Sequence, residues 1–178
     1  MDELIPYLMR HGLADLSLRP MAAAAGTSAR LLIFHFGTKE DLLAEVLQEM
    51  QARLRRSFTS MSARSSGREG SLLRVYWDWA LEKKNFDYLS LLYQLHLLAL
   101  QSPKKYARYL ERNSLNWLEW VQGKLPTERR DPVLATLILA VFDGLFIALM
   151  DSRDRRRTTR AMDAFIRMAQ TPKSGRRR

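Results

Sequence analysis

The stretch that decides the fold is GLADLSLRPMAAAAGTSARLLIFHFGTKEDLLAEVL, residues 12–47 of the 178-residue chain. Ser17 stands where an N-cap residue would start a short helix. Gly26 can end that helix, because glycine readily adopts the positive φ that a sharp turn requires. Ser28 can then cap another short helix of about two turns. The spacing therefore predicts two short helices joined by a tight turn, roughly over residues 17–36.

A further short helix precedes this pair. Leu4, Ile5, Leu8 and Met9 form an apolar stripe that ends at Gly12, a residue type favoured just after a helix. Three short helices joined by tight turns have the size of a helix-turn-helix head. In such a head the second helix crosses the DNA backbone and the third lies in the major groove. The pattern therefore predicts DNA binding.

The same stretch resembles the DNA-binding domain of the tetracycline-repressor (TetR) family of transcriptional regulators. The residues that fall at the family's spacing are Gly12, Ser17, Met21, Ala22, Ala25, Gly26, Ser28, Leu32, His35, Phe36, Lys39, Glu40, Leu42 and Leu43. The resemblance implies an all-α homodimer that binds a pseudo-palindromic double-stranded DNA operator. It also implies that a small molecule in the C-terminal body releases the operator, so that the protein acts as a repressor.

The resemblance assigns DNA contacts by position. Ala29, Arg30 and Leu31 would face the bases, and a guanidinium such as that of Arg30 can bond to O6 and N7 of guanine together. The residues expected near phosphates are Ser17, Thr27, Ser28, His35 and Lys39. Ile33 and Phe34 complete the predicted DNA-binding set.

Two departures from the family pattern bear on DNA recognition. Ile33 stands where the family often has tyrosine, which removes one expected phosphate contact. Arg30 and Leu31 stand where a Gly-Thr pair is common, which predicts an unusual operator. The alternative function is that of a helical dimeric interaction protein whose head binds DNA weakly.

The charge of the chain supports DNA binding only weakly. The formal net charge is +10 at pH 7. The first 50 residues carry 4 Lys/Arg against 7 Asp/Glu, a net of −3. Most of the excess basic charge therefore lies outside the predicted head.

Catalytic and targeting motifs are missing from the sequence. It has no cysteine, and His11, His35 and His96 are far apart. It has no metal-ligand spacing, phosphate-binding loop or nucleophile motif, so we expect no enzyme activity, no metal and no cofactor. The opening MDELIPYLMRHG lacks the pattern of a signal peptide, and we expect a cytoplasmic protein.

Helical periodicity continues through the rest of the chain, and no strand pattern appears. Thr38 can open a long connecting helix, which a Ser/Gly/Arg-rich loop follows. Further helices are predicted near residues 71–84, 86–101, 103–124, 128–151 and 155–170. We predict an all-α fold with a helix-turn-helix head at residues 1–45, a helical effector-binding and dimerisation domain at residues 46–171, and a disordered basic tail at residues 172–178.

The predicted body combines aromatic side chains with a few polar ones, a pattern typical of a small-molecule pocket. The candidate pocket residues are Trp77, Tyr93, His96, Asn113, Ser114 and Trp117. The alternative is an ordinary core, in which the aromatic residues fill space and His96 is a hydrogen-bonded core histidine.

The segment VLATLILAVFDGLFIALM, residues 133–150, is apolar around nearly its whole circumference. Its length is close to that of a membrane span, but Asp143 lies inside it and a helix buried in protein is favoured. A monomer would leave one side of this helix in water, which predicts a homodimer. The candidate interface residues are Leu134, Ile138, Val141, Leu145, Phe146, Ala161 and Phe165.

Overall fold

The structure, a computed structural model, describes residues 1–13, 16–62 and 69–170. In those ranges the regular structure is helical, and no residue lies in a β-strand. The helices are α1 (Leu4–His11), α2 (Leu18–Ala24), α3 (Ala29–Phe36), α4 (Lys39–Ser62), α5 (Glu69–Leu81), α6 (Lys83–Gln101), α7 (Ala107–Lys124), a 3₁₀ turn (Thr127–Arg129), α8 (Pro132–Ser152) and α9 (Arg155–Gln170). The predicted all-α class is confirmed, whereas the tail predicted at residues 172–178 lies outside the described residues.

Local caps explain where the two longest helices begin. The hydroxyl oxygen of Thr38 accepts a hydrogen bond from the backbone N–H of Asp41 at 3.0 Å, just before α4. The carboxylate of Asp131 accepts one from the N–H of Val133 at 2.9 Å, and Pro132 occupies the first position of α8. Such bonds satisfy backbone donors that have no partner within the helix.

The chain forms two compact units. The first comprises Met1–Thr59 and Lys83–Asn116, and the second comprises Ser60–Glu82 and Trp117–Arg178. The first unit therefore contains the predicted helix-turn-helix head, and the second contains α5, α8 and α9. The functional boundary predicted at residue 45 falls within α4 and remains a prediction.

The core of the first unit fixes the helices of the head. α1 packs against α2 and α6, and α2 packs against α3. The largest fully buried side chains of α1, α2 and α4 are those of Leu8, Met21, Leu42, Leu43, Leu47 and Met50. Truncating a buried leucine to alanine costs about 2–5 kcal/mol, so this core holds α2 and α3 in place.

In the second unit α9 packs against α5 and α8. Trp77 on α5 is fully buried, and its indole N–H donates a hydrogen bond to the hydroxyl of Thr159 on α9 at 3.0 Å. The Trp77 ring also meets Phe142 of α8 edge to face, with ring centroids 5.7 Å apart. The side of α8 that carries Phe142 therefore faces the core of the second unit.

α8 is the one helix in the described ranges that is long and apolar enough to cross a membrane, judged by length and composition. In its most apolar window, 28% of the residues are buried in the chain. The buried residues recur every three or four positions as Ala135, Ile138, Phe142, Phe146 and Leu149. α8 therefore packs through one stripe and leaves a second apolar stripe exposed.

Candidate nucleic-acid interface

Backbone hydrogen bonds close the turn between α2 and α3. The N–H of Thr27 donates to the carbonyl of Ala22 at 2.9 Å, and the N–H of Gly26 donates to that of Ala23 at 3.1 Å. This pair of bonds is the Schellman arrangement, which places a residue of positive φ just after the helix. Gly26 fills that position with a φ of 65°. Residues other than glycine adopt this backbone conformation only with strain. The turn predicted from Gly26 is therefore present.

α3 begins at the predicted cap. Ser28 has an extended backbone, and its hydroxyl oxygen accepts a hydrogen bond from the N–H of Leu31 at 3.1 Å. The other free N–H groups at this helix start carry partial positive charge. The start of α3 is therefore suited to lie beside a phosphate, as it would in a DNA complex.

α3 buries little of its own surface. Leu32 is 6% exposed, and Phe36 is half-buried. The exposed side chains of α3 are Arg30, Leu31, Ile33, Phe34 and His35. With 3.6 residues per turn, Phe34 points about 180° away from the midpoint between Leu32 and Phe36. The outward face of α3, defined as Arg30, Leu31 and Phe34, is therefore centred on Phe34.

Lys39 holds the start of α4 against the segment before α2. Its ammonium group donates a hydrogen bond to the carbonyl of Leu16 at 2.6 Å. The adjacent Glu40 carboxylate lies 3.2 Å from the ammonium of Lys105. A backbone hydrogen bond and Lys105 keep the pKa of Glu40 below its ordinary value, although burial opposes the shift. Lys39 therefore has a structural contact in addition to the phosphate contact predicted for it.

Ser17 and Thr27 flank α2 with different surroundings. Ser17 occupies the predicted N-cap position and is exposed, but its side chain makes no capping hydrogen bond. The hydroxyl oxygen of Thr27 is buried and has no hydrogen-bond partner among the described residues. Exposed Arg19, in the first turn of α2, adds a positive charge to this segment, although it is not among the residues predicted to contact DNA. All predicted DNA-binding residues lie between Ser17 and Lys39, and their contacts with DNA remain predictions.

The predicted pocket residues fall in both compact units. Trp77 and Trp117 belong to the second unit, whereas Tyr93 and His96 belong to the first. Trp77 is fully buried, and the half-buried Trp117 ring lies 5.5 Å from that of Trp120. The pocket therefore stays a prediction. Among the described residues, no group of three or more acidic or histidine side chains could hold a metal ion.

His96 belongs to a polar cluster that sequence reasoning missed. Its Nδ1 lies 2.9 Å from the hydroxyl oxygen of Tyr109, to which the side-chain amide of Gln51 donates at 3.0 Å. Gln51 and Tyr109 are buried, and burial raises the pKa of the Tyr109 hydroxyl above its ordinary range. The cluster ties α4, α6 and α7 together. The side chains of the other two pocket candidates, Asn113 and Ser114, lie outside the described part of the chain.

The predicted dimer residues lie on α8 and α9 and differ in how far they are buried. Ile138 and Phe146 are buried within the chain, at 5% and 0% exposure. Leu137 and Ile147, the neighbouring positions, are 53% and 45% exposed. Leu134, Val141, Leu145 and Phe165 are half-buried, and Ala161 is exposed. The exposed apolar surface of α8 therefore lies beside Ile138 and Phe146, and the dimer interface stays a prediction.

Residues 7–46 match the sequence profile of the family described as "Bacterial regulatory proteins, tetR family". No curated protein sequence matches the chain at a significant level. Among solved structures, the multidrug binding protein EbrR complexed with ethidium is similar, with a TM-score of 0.71 and 26% identity over 94% of both chains. A protein from Rhodococcus sp. described as a TetR-family transcriptional regulator has a TM-score of 0.75 and 16% identity over 96% of this chain and 95% of that one. A transcriptional regulator from Pseudomonas aeruginosa PAO1 has a TM-score of 0.72 and 20% identity over 94% and 86%.

The fold and the helix-turn-helix geometry together define a DNA-binding transcriptional regulator. Residues 7–46 have the sequence profile of the TetR family, and the chain as a whole has the fold of TetR-family transcriptional regulators. The family resemblance predicted from residues 12–47 is confirmed.

Proposed function

We propose that the protein is a homodimeric repressor that binds a pseudo-palindromic operator through paired α3 helices, and that a small molecule releases it. The observation that carries the DNA-binding part is the outward face of α3. Two turns of helix expose Arg30 beside large apolar side chains, although the same helix buries only Leu32 fully. A contiguous exposed apolar surface of this kind is typical of a binding surface.

In the proposed complex α3 lies in the major groove. Arg30 reads a guanine, and Ala29 and Leu31 lie against neighbouring base edges. The residues proposed to contact phosphates are Ser17, Thr27, Ser28, His35 and Lys39. Phosphate contacts set the position of a protein on DNA, whereas base contacts set its sequence preference. Ile33 lies at the side of the outward face, where tyrosine is common in the family.

The proposed dimer uses the exposed stripe of α8. Val133, Leu137 and Ile147 on this stripe are 63%, 53% and 45% exposed. Ala140 and Gly144 are exposed between them, so two backbones can approach closely. Burying apolar surface contributes about 25 cal/mol per Å², and a two-fold axis is the commonest way to close such a contact.

α9 extends the proposed interface. Met168 is 69% exposed on this helix, and Ala161 is exposed two turns earlier. α8 and α9 pack against each other, so two copies would form a four-helix bundle across the axis. A pseudo-palindromic operator with half-sites one helical turn apart would require the two α3 helices of such a dimer to lie about 34–36 Å apart.

An aromatic cluster in the second unit suggests the class of effector. Tyr76 and Trp79 stack with ring centroids 5.6 Å apart, and Tyr76 stacks on Phe142 at 4.4 Å. Burial and the negative charge of Asp143 raise the pKa of the Tyr76 hydroxyl above its ordinary range. Stacked rings near a carboxylate favour flat aromatic cations. Structures of the similar protein EbrR contain ethidium, proflavin or imidazole, and we therefore propose planar aromatic cations as effectors.

Fluorescence anisotropy tests the DNA-binding part. The probe is a labelled duplex from the region upstream of the protein's own gene, compared with a scrambled duplex of equal length. We expect preference for the upstream duplex, weakened in Arg30→Ala and retained in Arg156→Ala, which removes an exposed arginine from α9. A soluble dimer without preference for any duplex would favour the alternative of a helical interaction protein.

Calorimetric titration without DNA tests the effector part, because ethidium and proflavin also bind DNA directly. We expect both cations to bind the wild-type protein and to bind Trp79→Ala more weakly. Trp120→Ala, which removes a half-buried tryptophan outside the aromatic cluster, is the matched control. Equal binding by all three proteins would remove the proposed cluster from the effector site, and no binding by any of them would contradict the ligand class.

A further inference from the structure

We propose that Phe34 reads the 5-methyl group of a thymine in each operator half-site, about two base pairs from the guanine read by Arg30. This inference rests on the proposed binding of α3 in the major groove. It specifies which base the outward face of α3 would contact in addition to the guanine.

The placement of Phe34 is the first step of the argument. Its side chain is 79% exposed, and its ring lies edge-on to the ring of His35, with centroids 5.4 Å apart. It points away from the buried Leu32, so it contributes little to the core of the head. Leu31, on the same outward face, is 45% exposed. The centre of the surface presented to a groove is therefore apolar.

The chemistry of the major groove decides which base fits that surface. Adenine, guanine and cytosine present hydrogen-bond donors and acceptors there, whereas thymine adds an apolar methyl group. The phenyl ring of Phe34 can neither donate nor accept a hydrogen bond. Placing it against a polar base edge would desolvate that edge without compensation. Among the four bases, thymine therefore complements Phe34 best.

The charge of residues 10–39, the segment that contains this face, favours DNA over a second protein as its occupant, although residues 1–50 as a whole carry a net charge of −3. The basic residues between positions 10 and 39 are Arg10, Arg19, Arg30 and Lys39, against one acidic residue, Asp15. Arg30 lies one turn before Phe34 on the same outward face. A suitable partner carries negative charges for the basic residues and an apolar group for Phe34. A thymine-containing duplex has both, in its phosphates and in the thymine methyl group.

The helix geometry fixes the distance between the two contacts. Arg30 and Phe34 are four residues apart, and an α-helix rises about 1.5 Å per residue, so their Cα atoms are separated by about 6 Å along the axis. Successive bases of a DNA strand are about 3.4 Å apart. A helix lying along the groove would therefore place the two contacts about two base pairs apart.

The experiment starts by selecting a preferred duplex from a random-sequence library with the wild-type protein. Each thymine of that duplex is then replaced by uracil, which lacks the 5-methyl group and keeps the same base pairing. We expect one thymine per half-site to be sensitive, with affinity falling about fourfold per methyl group. Two symmetric substitutions together should lower affinity about tenfold or more.

Protein variants assign the effect to Phe34. Phe34→Ala should bind the thymine and uracil duplexes equally well. The matched control, Leu100→Ala, removes another exposed apolar side chain, 51% exposed on α6, and should keep the wild-type uracil effect. Circular dichroism of each variant confirms that it is folded, which is expected because both side chains are exposed.

The outcomes separate this inference from the proposed function. Selection of no preferred duplex would overturn both. A preferred duplex whose affinity is insensitive to uracil would overturn the thymine inference and leave operator binding intact. A uracil effect that persists in Phe34→Ala would assign the methyl contact to another residue and overturn the role of Phe34.

Discussion

The outward face of α3 and the exposed stripe of α8 both present large apolar side chains to solvent, but their surroundings differ. On α3 the exposed Phe34 lies one turn from Arg30, and Ser28 caps the helix start. On α8 small residues lie between the exposed Leu137 and Ile147, and the one charged residue between them in the sequence is acidic. The comparison teaches that exposed apolar area marks a binding surface, whereas the neighbouring charge indicates what kind of partner it binds.

The acidic residue beside the α8 stripe is Asp143, which is exposed. A carboxylate at this position would repel phosphates and would be tolerated at the edge of a protein interface, where water reaches it. This difference supports the proposal that α3 binds DNA and that α8 binds a second copy of the chain. The following predictions test that division, from the largest expected effect to the smallest.

The largest effect should distinguish the inner face of α8 from the outward face of α3. Phe146→Ala removes a side chain that is 0% exposed, and should lower the free energy of unfolding by about 3–5 kcal/mol. Phe34→Ala should change it by less than about 0.5 kcal/mol. Urea denaturation at one protein concentration measures both. Similar losses in the two variants would contradict the view that Phe34 is held in place for binding.

The next effect concerns the exposed stripe of α8. Leu137→Arg would place an unpaired charge in the proposed interface at a cost of about 3–5 kcal/mol, so the dimer should weaken at least about 100-fold. Sedimentation velocity at micromolar concentration should show a monomer. Leu100→Arg, at a comparably exposed leucine of α6, should remain dimeric. A monomeric wild-type protein would contradict the dimer itself.

A smaller effect should separate base reading from phosphate attraction in the head. Arg30→Ala should weaken operator binding by about 1–3 kcal/mol and relax the preference at one base pair per half-site. Lys39→Ala should weaken binding to all duplexes alike. It should also lower the slope of log affinity against log salt concentration by about one, the value for one lost phosphate contact. Anisotropy titrations at several salt concentrations measure both changes. Unchanged sequence preference in Arg30→Ala would contradict the placement of α3 in the groove.

The smallest effect tests an ion pair between the head and the rest of the first compact unit. Glu40→Gln removes the ion pair with Lys105 and should lower stability by less than about 1 kcal/mol. The pKa of Glu40 is lowered from 4.5 in the folded protein, so this stabilisation is complete above that value. It should disappear as pH falls through the lower folded pKa. Thermal denaturation from neutral pH to about pH 3 measures the difference, and a difference that persists in acid would contradict the ionic cause.

The head was predictable from sequence because its signals are local. Ser28 bonds to a backbone group three residues away, and the bonds around Gly26 span five residues at most. The predicted extent of α3 therefore agrees with the structure. Ser17 marks the start of α2 correctly but does so without a side-chain bond, which its residue type could not reveal.

Two helices of the body begin four residues later than predicted: the helix predicted from near residue 128 begins at Pro132, and α7 also begins late, for a local reason. The sequence predicts a helix from residue 103, but α7 begins at Ala107. The N–H groups of Lys105 and Tyr106 both bond to the carbonyl of Ser102, which forms a turn before the helix. The hydrophobic spacing in this region fits a helix on either side of that turn, so the spacing alone does not place the start.

Contacts between residues that are far apart in the sequence could not be predicted from the hydrophobic spacing. α8 is apolar on all sides, so periodicity cannot show that Ile138 faces inward and Leu137 outward. The packing of neighbouring helices makes that choice. For the same reason the bond between Gln51 and Tyr109, which are 58 residues apart, leaves no signal in the spacing of either helix.

The buried hydroxyl of Thr27 affects which substitutions a screen for stability would favour in the head. A hydroxyl buried without a partner costs about 1–3 kcal/mol, and valine has nearly the same shape without that cost. A laboratory screen for thermal stability alone should therefore favour Thr27→Val. If the Thr27 hydroxyl turns to a phosphate when DNA arrives, the same screen would select away operator affinity. Position 27 is then a place where a more durable protein and a better regulator require different residues.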